Sequence, residues 1–185
     1  MAETDAARKR VLELLREAPR EGERAAREWA RFEGFASAHA DCCERTCAPG
    51  HFTGSAWVVS GDGERALLLH HRKLDIWVQP GGHADGDGDL AAVALREAEE
   101  ETGLRGLRIE GGVFDLDRHQ IPARGSEPAH YHYDVRFVVR AGDDEAFVAN
   151  EESHALKWIP VRDIAADPHA DPSVRRMARH WLSRS

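Results

Sequence analysis

The sequence predicts an α/β fold, with a mixed sheet preceded by an N-terminal helical extension. Three observations lead there. Apolar residues recur at helical spacing in residues 5–40 and again near the C-terminus. From Thr53 onward the texture changes to short β-rich runs separated by Gly, Pro and Asp. Strands and helices then mix irregularly, without the regular βαβ alternation of a doubly wound sheet. Residues 1–50 read as the helical extension and 51–185 as the domain that follows it.

The first helix is expected over 5–17. Asp5 can cap it, Val11, Leu12, Leu14 and Leu15 supply its stripe, and Pro19 and Gly22 end it. A second helix spans about 23–40, with Ala25, Trp29, Phe32 and Ala36 on one face. Its aromatic residues Trp29, Phe32 and Phe35 are too large to leave in water. They are expected to cover the domain or a second subunit, with a homodimer as the partner arrangement. Residues 55–60 and 65–71 flank Gly61-Asp62-Gly63 and read as a hairpin. Residues 76–78 form a short strand stopped by Pro80-Gly81-Gly82. A helix follows over about 89–102, ended by Gly103. Strands are expected at 107–117, 131–140 and 155–160, with a loop at about 118–128. The second of these alternates around Val135, Phe137 and Val139, and places His130 and His132 on one face and Tyr131 and Tyr133 on the other. The last helix starts at Asp171-Pro172 and buries Val174, Met177, Ala178, Trp181 and Leu182.

Composition bounds the function. Of 185 residues, 42% are hydrophobic and 31% charged, enough apolar material for a core. No run approaches the roughly 20 apolar residues of a membrane helix, and no secretory signal is visible. The net charge of −8 disfavours general nucleic-acid binding. Cys42, Cys43 and Cys47, an odd number without a signal peptide, read as reduced thiols in a cytoplasmic protein. With His39 and His51 they lie in HADCCERTCAPGH. This segment is either a zinc site or a helix-to-strand connector with small thiols. The C-x2-C spacing of a zinc knuckle is absent.

At 100° per residue, the helix at 89–102 buries Leu90, Ala91, Ala94, Leu95 and Ala98, and groups Glu97, Glu100 and Glu101 on a neighbouring arc. Glu99 points to solvent. Carboxylates at i, i+3 and i+4 repel one another in a bare helix. A hard divalent cation removes that cost. Gly82, Arg96-Glu97, Glu100-Glu101, Gly103 and Leu104 match the pattern G-x5-E-x7-R-E-U-x-E-E-x-G-U, where U is a bulky apolar residue. The chain thus resembles the Nudix hydrolases over residues 82–104, and the run Ile76–Gly82 resembles the strand that enters their motif. It departs from the pattern at Gly88, where the family carries Glu, and at Ala98, where U is expected.

The resemblance implies an α/β/α sandwich and hydrolysis of a diphosphate linkage in a nucleoside diphosphate linked to another group. It implies Mg2+ or Mn2+ held by Glu97, Glu100 and Glu101, with Arg96 orienting the carboxylates. Glu101 and Glu152 are the candidate bases. Arg72, Lys73, Gly82 and His83 are the candidate substrate contacts, and the substrate is a small-molecule nucleoside diphosphate derivative. Asp87 or Asp89 flanks Gly88 and can cap the helix, and Gly88→Glu is expected to tighten the metal site or, if the loop needs a positive φ at 88, to destabilise the fold. An alternative is a non-catalytic nucleotide- or nucleotide-sugar-binding sensor on the same fold. Isopentenyl-diphosphate isomerases share the fold but carry a catalytic Cys before Gly-His, where this chain has Gly81.

Overall fold

Local signals place the elements close to where the pattern puts them. The structure, a computed structural model, describes residues 2–71, 75–148 and 153–184. Helices α1 (Ala2–Arg16) and α2 (Glu23–Ala38) come first. Strands β1 (Gly50–Val59), β2 (Arg65–His71), β3 (Ile76–Val78) and β4 (Gly81–His83) follow. Helix α3 (Leu90–Thr102) precedes β5 (Arg108–Ile121), β6 (His130–Arg140) and β7 (Ser153–Pro160). Helices α4 (Val161–Ala166) and α5 (Pro172–Ser183) end the chain. The strands form a seven-stranded sheet in the order β3-β2-β1-β6-β5, with β4 paired to β1 and β7 to β2. Among the described residues no helix is long and apolar enough to cross a membrane.

The chain clusters into two compact units. The first comprises Met1–Ser55, Gly82–Ala94 and Gly111–Phe137. Its core is aromatic. Phe32 of α2 meets Phe52 of β1 edge-on at 5.9 Å and Tyr133 of β6 at 5.3 Å. Phe35 stacks on Tyr133 at 4.0 Å. The aromatic stripe of α2 is therefore buried on strands of its own chain. Trp29 is half-buried, and its indole N–H donates to the Leu15 carbonyl at 2.7 Å. The start of α3 sits on β1 at Gly54, where a Cβ would lie 2.6 Å from the Leu90 carbonyl oxygen. Glycine there lets helix and strand backbones approach.

The second unit comprises Ala56–Gly81, Leu95–Glu110 and Val138–Ser185. The expected hairpin is present: Val59 of β1 pairs with Ala66 of β2, and Asp62 Oδ1 closes the turn by accepting from the Glu64 amide at 3.0 Å. One edge of β2 pairs antiparallel with β3 and the other with β7, from Arg65↔Pro160 to His71↔Ser153. Asp171 caps α5, accepting from the Ser173 amide at 2.8 Å, with Pro172 in the first turn.

Several expectations need correction. The first strand begins at Gly50, five residues early, because β6 and β4 give residues 50–54 partners that local composition cannot reveal. Gly81–His83 is a strand, since β1 supplies its pairing, although Pro80-Gly81-Gly82 reads as a stop. Strand β5 runs through to Ile121, which shortens the expected loop. Helix α4 went unforeseen; six residues are too few for a periodic signal. In α5, Val174, Met177 and Ala178 are buried and Trp181 is half-buried, but Leu182 is 43% exposed. Its position falls beyond the edge of the stripe.

Phe32 has no exposed surface. Phe32→Ala is expected to cost about 3–5 kcal/mol in urea unfolding, the usual range for emptying a core aromatic site. A change below about 1 kcal/mol would show that α2 is not seated on β1 and β6.

Candidate functional site

The site predicted from sequence is built on α3 and the loop that leads into it. The loop is pinned throughout. The Ala84 amide donates to the Phe52 carbonyl at 3.2 Å and the Gly86 amide to the Cys43 carbonyl at 2.9 Å. Asp85 holds a left-handed φ of 48°, and its carboxylate pairs with the Arg45 guanidinium at 2.7 Å. That ion pair holds the Asp85 carboxyl below its ordinary range. Asp87 Oδ1 accepts from the Asp89 amide at 2.9 Å, and Asp89 Oδ1 accepts from the Ala92 amide at 3.1 Å. Asp89 is thus the N-cap of α3, as the sequence allowed.

Gly88 overturns the expectation attached to it. A Cβ at this position would stand 2.3 Å from the Ala7 carbonyl oxygen and 2.7 Å from the Ala7 Cα. The backbone of α1 occupies the place a side chain needs. Gly88 is buried and its φ is ordinary, so the reason for glycine is close packing rather than conformational freedom. A glutamate cannot be restored here as a metal-site improvement.

On α3, Glu97 and Glu101 are half-buried and Glu100 is exposed. Glu101 Oε2 accepts from the Gly81 amide at 2.9 Å, which ties the carboxylate to the segment preceding Gly82. Arg96 is exposed and Gly82 half-buried. Glu99 is half-buried rather than solvent-facing. The Val148 amide donates to the Thr102 carbonyl at 2.8 Å, and Val148 also lies against the place where a Gly103 side chain would project, so its segment flanks the last helical turn. Arg72, Lys73 and Glu152 lie outside the described residues. The donor chemistry of Glu97, Glu100 and Glu101, all oxygen, fits a hard cation such as Mg2+ or Mn2+. Among the described residues, however, the sets of three whose ligand atoms all lie within 4.8 Å are His51–His83–His132 and His39–Asp41–Cys47.

The histidine set was only half visible in the sequence. His83 is a predicted site residue, and His130 and His132 were seen to share a face. Strand pairing adds His51. Its ring centroid lies 5.0 Å from His83, 5.0 Å from His130 and 4.9 Å from His132. His119 of β5 lies 5.4 Å from His132. Burial, reinforced by the neighbouring imidazoles, lowers the pKa of His51 to about 4 and of His132 to about 2. Burial also lowers His83. Burial thus favours the neutral form of His51, His83 and His132. Of the two readings of the segment from His39 to His51, His51 itself groups with His83 and His132 rather than with the cysteines among the described residues. Cys42, Cys43 and Cys47 are buried, free thiols, and burial pushes Cys47 up to about 12. The Phe52 amide donates to the Cys42 carbonyl at 2.8 Å, as in a helix-to-strand connector.

The sheet, the acidic helix and its loop can now be set beside known proteins. The NUDIX domain family model matches residues 51–181. The chain belongs to the Nudix family. A Mycobacterium tuberculosis relative, "Putative 8-oxo-dGTP diphosphatase 3", is 32% identical over 112 residues, covering 58% of this chain and 50% of the relative. A Streptomyces rubellomurinus relative, CMP-5'-(N-acetyl-N-hydroxy-3-aminopropyl)phosphonate hydrolase, is 28% identical over 125 residues, covering 60% and 53%. This Nudix chain thus spans about half the length of these curated relatives. The crystal structure of a C. elegans Ap4A hydrolase binary complex superposes with a TM-score of 0.57 at 17% identity, covering 72% of this chain and 96% of that one. That likeness shows a Nudix fold.

Gly88→Ala tests the packing reading with the smallest side chain available. It is expected to destabilise the protein by at least about 1–3 kcal/mol, as overpacking does, and Gly88→Glu by no less. Thermal melts would show it directly. An unchanged melting temperature for Gly88→Glu would mean that α1 does not close on this loop.

Proposed function

We propose that this Nudix protein is a divalent-metal-dependent hydrolase that cleaves a diphosphate linkage in a nucleoside diphosphate derivative. The observation that carries the reading is the acidic face of α3. Glu97, Glu100 and Glu101 sit at i, i+3 and i+4, and Glu101 is anchored by the Gly81 amide. Each of the three similar proteins bears a name describing hydrolysis of a nucleotide: 8-oxo-dGTP, a CMP-linked phosphonate and Ap4A. These names support the substrate class and leave the second group on the diphosphate open.

Glu97, Glu100 and Glu101 would hold Mg2+ or Mn2+. When bound, the ion supplies positive charge against the diphosphate oxygens and lowers the pKa of water. The rest falls to the chain. A protein of net charge −8 repels a diphosphate, so concentrating carboxylates on one helix face gives the anion a place only in company with a cation. The Gly81 amide holds the Glu101 carboxylate in place, and that carboxylate would ligate the ion or accept a proton from the attacking water. Glu152 is the alternative base, and Arg72 and Lys73 the candidate phosphate contacts; these assignments rest on the sequence pattern.

Phosphate release from a panel of nucleoside triphosphates, dinucleoside polyphosphates, ADP-ribose and sugar nucleotides, with Mg2+ or Mn2+, tests the reading. Glu100→Gln and Glu101→Gln are expected to lower kcat/KM by roughly a hundredfold or more, and Glu99→Gln by no more than about twofold. Equal losses at all three positions would defeat the facial assignment. Tight nucleotide binding with no turnover across the panel would replace the hydrolase by the sensor.

A further inference from the structure

We propose that His51, His83 and His132 form a binding site for one borderline transition-metal ion, represented by Zn2+, with a ligand set that shares no residue with the acidic face of α3. The three side chains come from β1, β4 and β6, and one ligand nitrogen of each lies within 4.8 Å of the others. They meet within a single compact unit.

The state of His51 is the strongest pointer. It is 2% exposed, and neither ring nitrogen has a hydrogen-bond partner among the described residues. His132 Nε2 is likewise buried without a partner. A buried polar atom left unsatisfied costs about 1–3 kcal/mol, and natural cores rarely leave several such atoms facing one another. Neutral imidazoles with free lone pairs are the form a metal requires. Coordination answers one nitrogen of each ring.

The donor set selects the ion. Three imidazoles and no carboxylate oxygen suit Zn2+, Ni2+ or Cu2+ and are foreign to Mg2+, which takes oxygen. Three histidines leave the fourth position of a tetrahedral ion to water. Ligation at 2.0–2.1 Å in that geometry brings nitrogens to about 3.3 Å apart, inside the 4.8 Å within which they already stand. Two further histidines border the set. The His130 ring lies 5.3 Å from His132, and its Nδ1 is 3.0 Å from the Pro128 carbonyl oxygen. His119 Nδ1 lies 3.5 Å from Asp117 Oδ2. The rival set, His39–Asp41–Cys47, includes an exposed carboxylate, Asp41, and contributes no buried, unpartnered side-chain nitrogen or oxygen among the described residues.

The full chain, stripped of metal, is dialysed against micromolar Zn2+ in millimolar Mg2+ and its metal counted by mass spectrometry. One retained equivalent of Zn2+ is expected. Substitution by Co2+ should give visible bands with no thiolate charge-transfer band. His83→Gln and His132→Gln, chosen because these residues are only half-buried, should each weaken Zn2+ binding at least tenfold while the circular dichroism spectrum is kept. Glu97→Gln and Cys47→Ser should retain it. Failure to hold stoichiometric Zn2+ would overturn the proposal. So would loss of the ion in Glu97→Gln or Cys47→Ser with the histidine variants unaffected.

Discussion

A single guanidinium organises the first compact unit. Arg136 is 2% exposed, and an isolated charge there would be prohibitive. Asp134 meets it at 2.7 Å, Asp115 at 3.5 Å and Asp117 at 3.4 Å. Burial alone would lower the Arg136 pKa, but the three carboxylates outweigh it and raise the value. Asp134 Oδ1 also accepts from Thr53 at 2.8 Å and Ser55 at 2.7 Å. Arg24 adds a second cation, to Asp115 at 3.2 Å and Asp117 at 3.4 Å. The network therefore locks α2, β1, β5 and β6 into one register. Removing one member of such a buried cluster typically costs about 3–5 kcal/mol, because the remaining charges are stranded.

Strand parity makes this network continuous with the histidines. Residues two apart share a face. His51, Thr53 and Ser55 follow one another on β1; His130, His132, Asp134 and Arg136 on β6; Asp115, Asp117 and His119 on β5. The opposite parity, Phe52 and Tyr133, carries the aromatic core under α2. The face away from that core is thus polar along its length, charged at one end and imidazole-rich at the other. At the charged end, hydrogen bonds and ion pairs within the stripe offset most of the desolvation.

What was legible in the sequence follows from which interactions are local. Helix α3, its Asp cap, the Gly61-Asp62-Gly63 hairpin and the amphipathic helices are set by contacts within a few residues, and the pattern placed them well. The grouping of Glu97, Glu100 and Glu101 on one helix was legible because motif spacing and helical period agree. The histidine cluster was not, because His51, His83 and His132 meet only through strand pairing across more than thirty residues. The alternation HYHYDVRF gave a partial signal: its even positions are all polar, which a strand with one solvent face shares with a strand facing a buried network. Gly88 was misread for the same reason. Its neighbour in space, Ala7, is far away in sequence.

That contact also explains what the N-terminal helices do. Where the family motif has a glutamate, this chain presses the backbone of α1 against the loop through two small residues, Ala7 and Gly88. The same loop is held from the cysteine segment by the Cys43 carbonyl and by Arg45, and from β1 by the Phe52 carbonyl. Every one of these restraints comes from residues 7–52, so the stiffness of the segment from His83 to Asp89 is supplied by the part of the chain that precedes the motif. The three thiols are small and buried, in the connector whose Cys43 carbonyl accepts from the Gly86 amide.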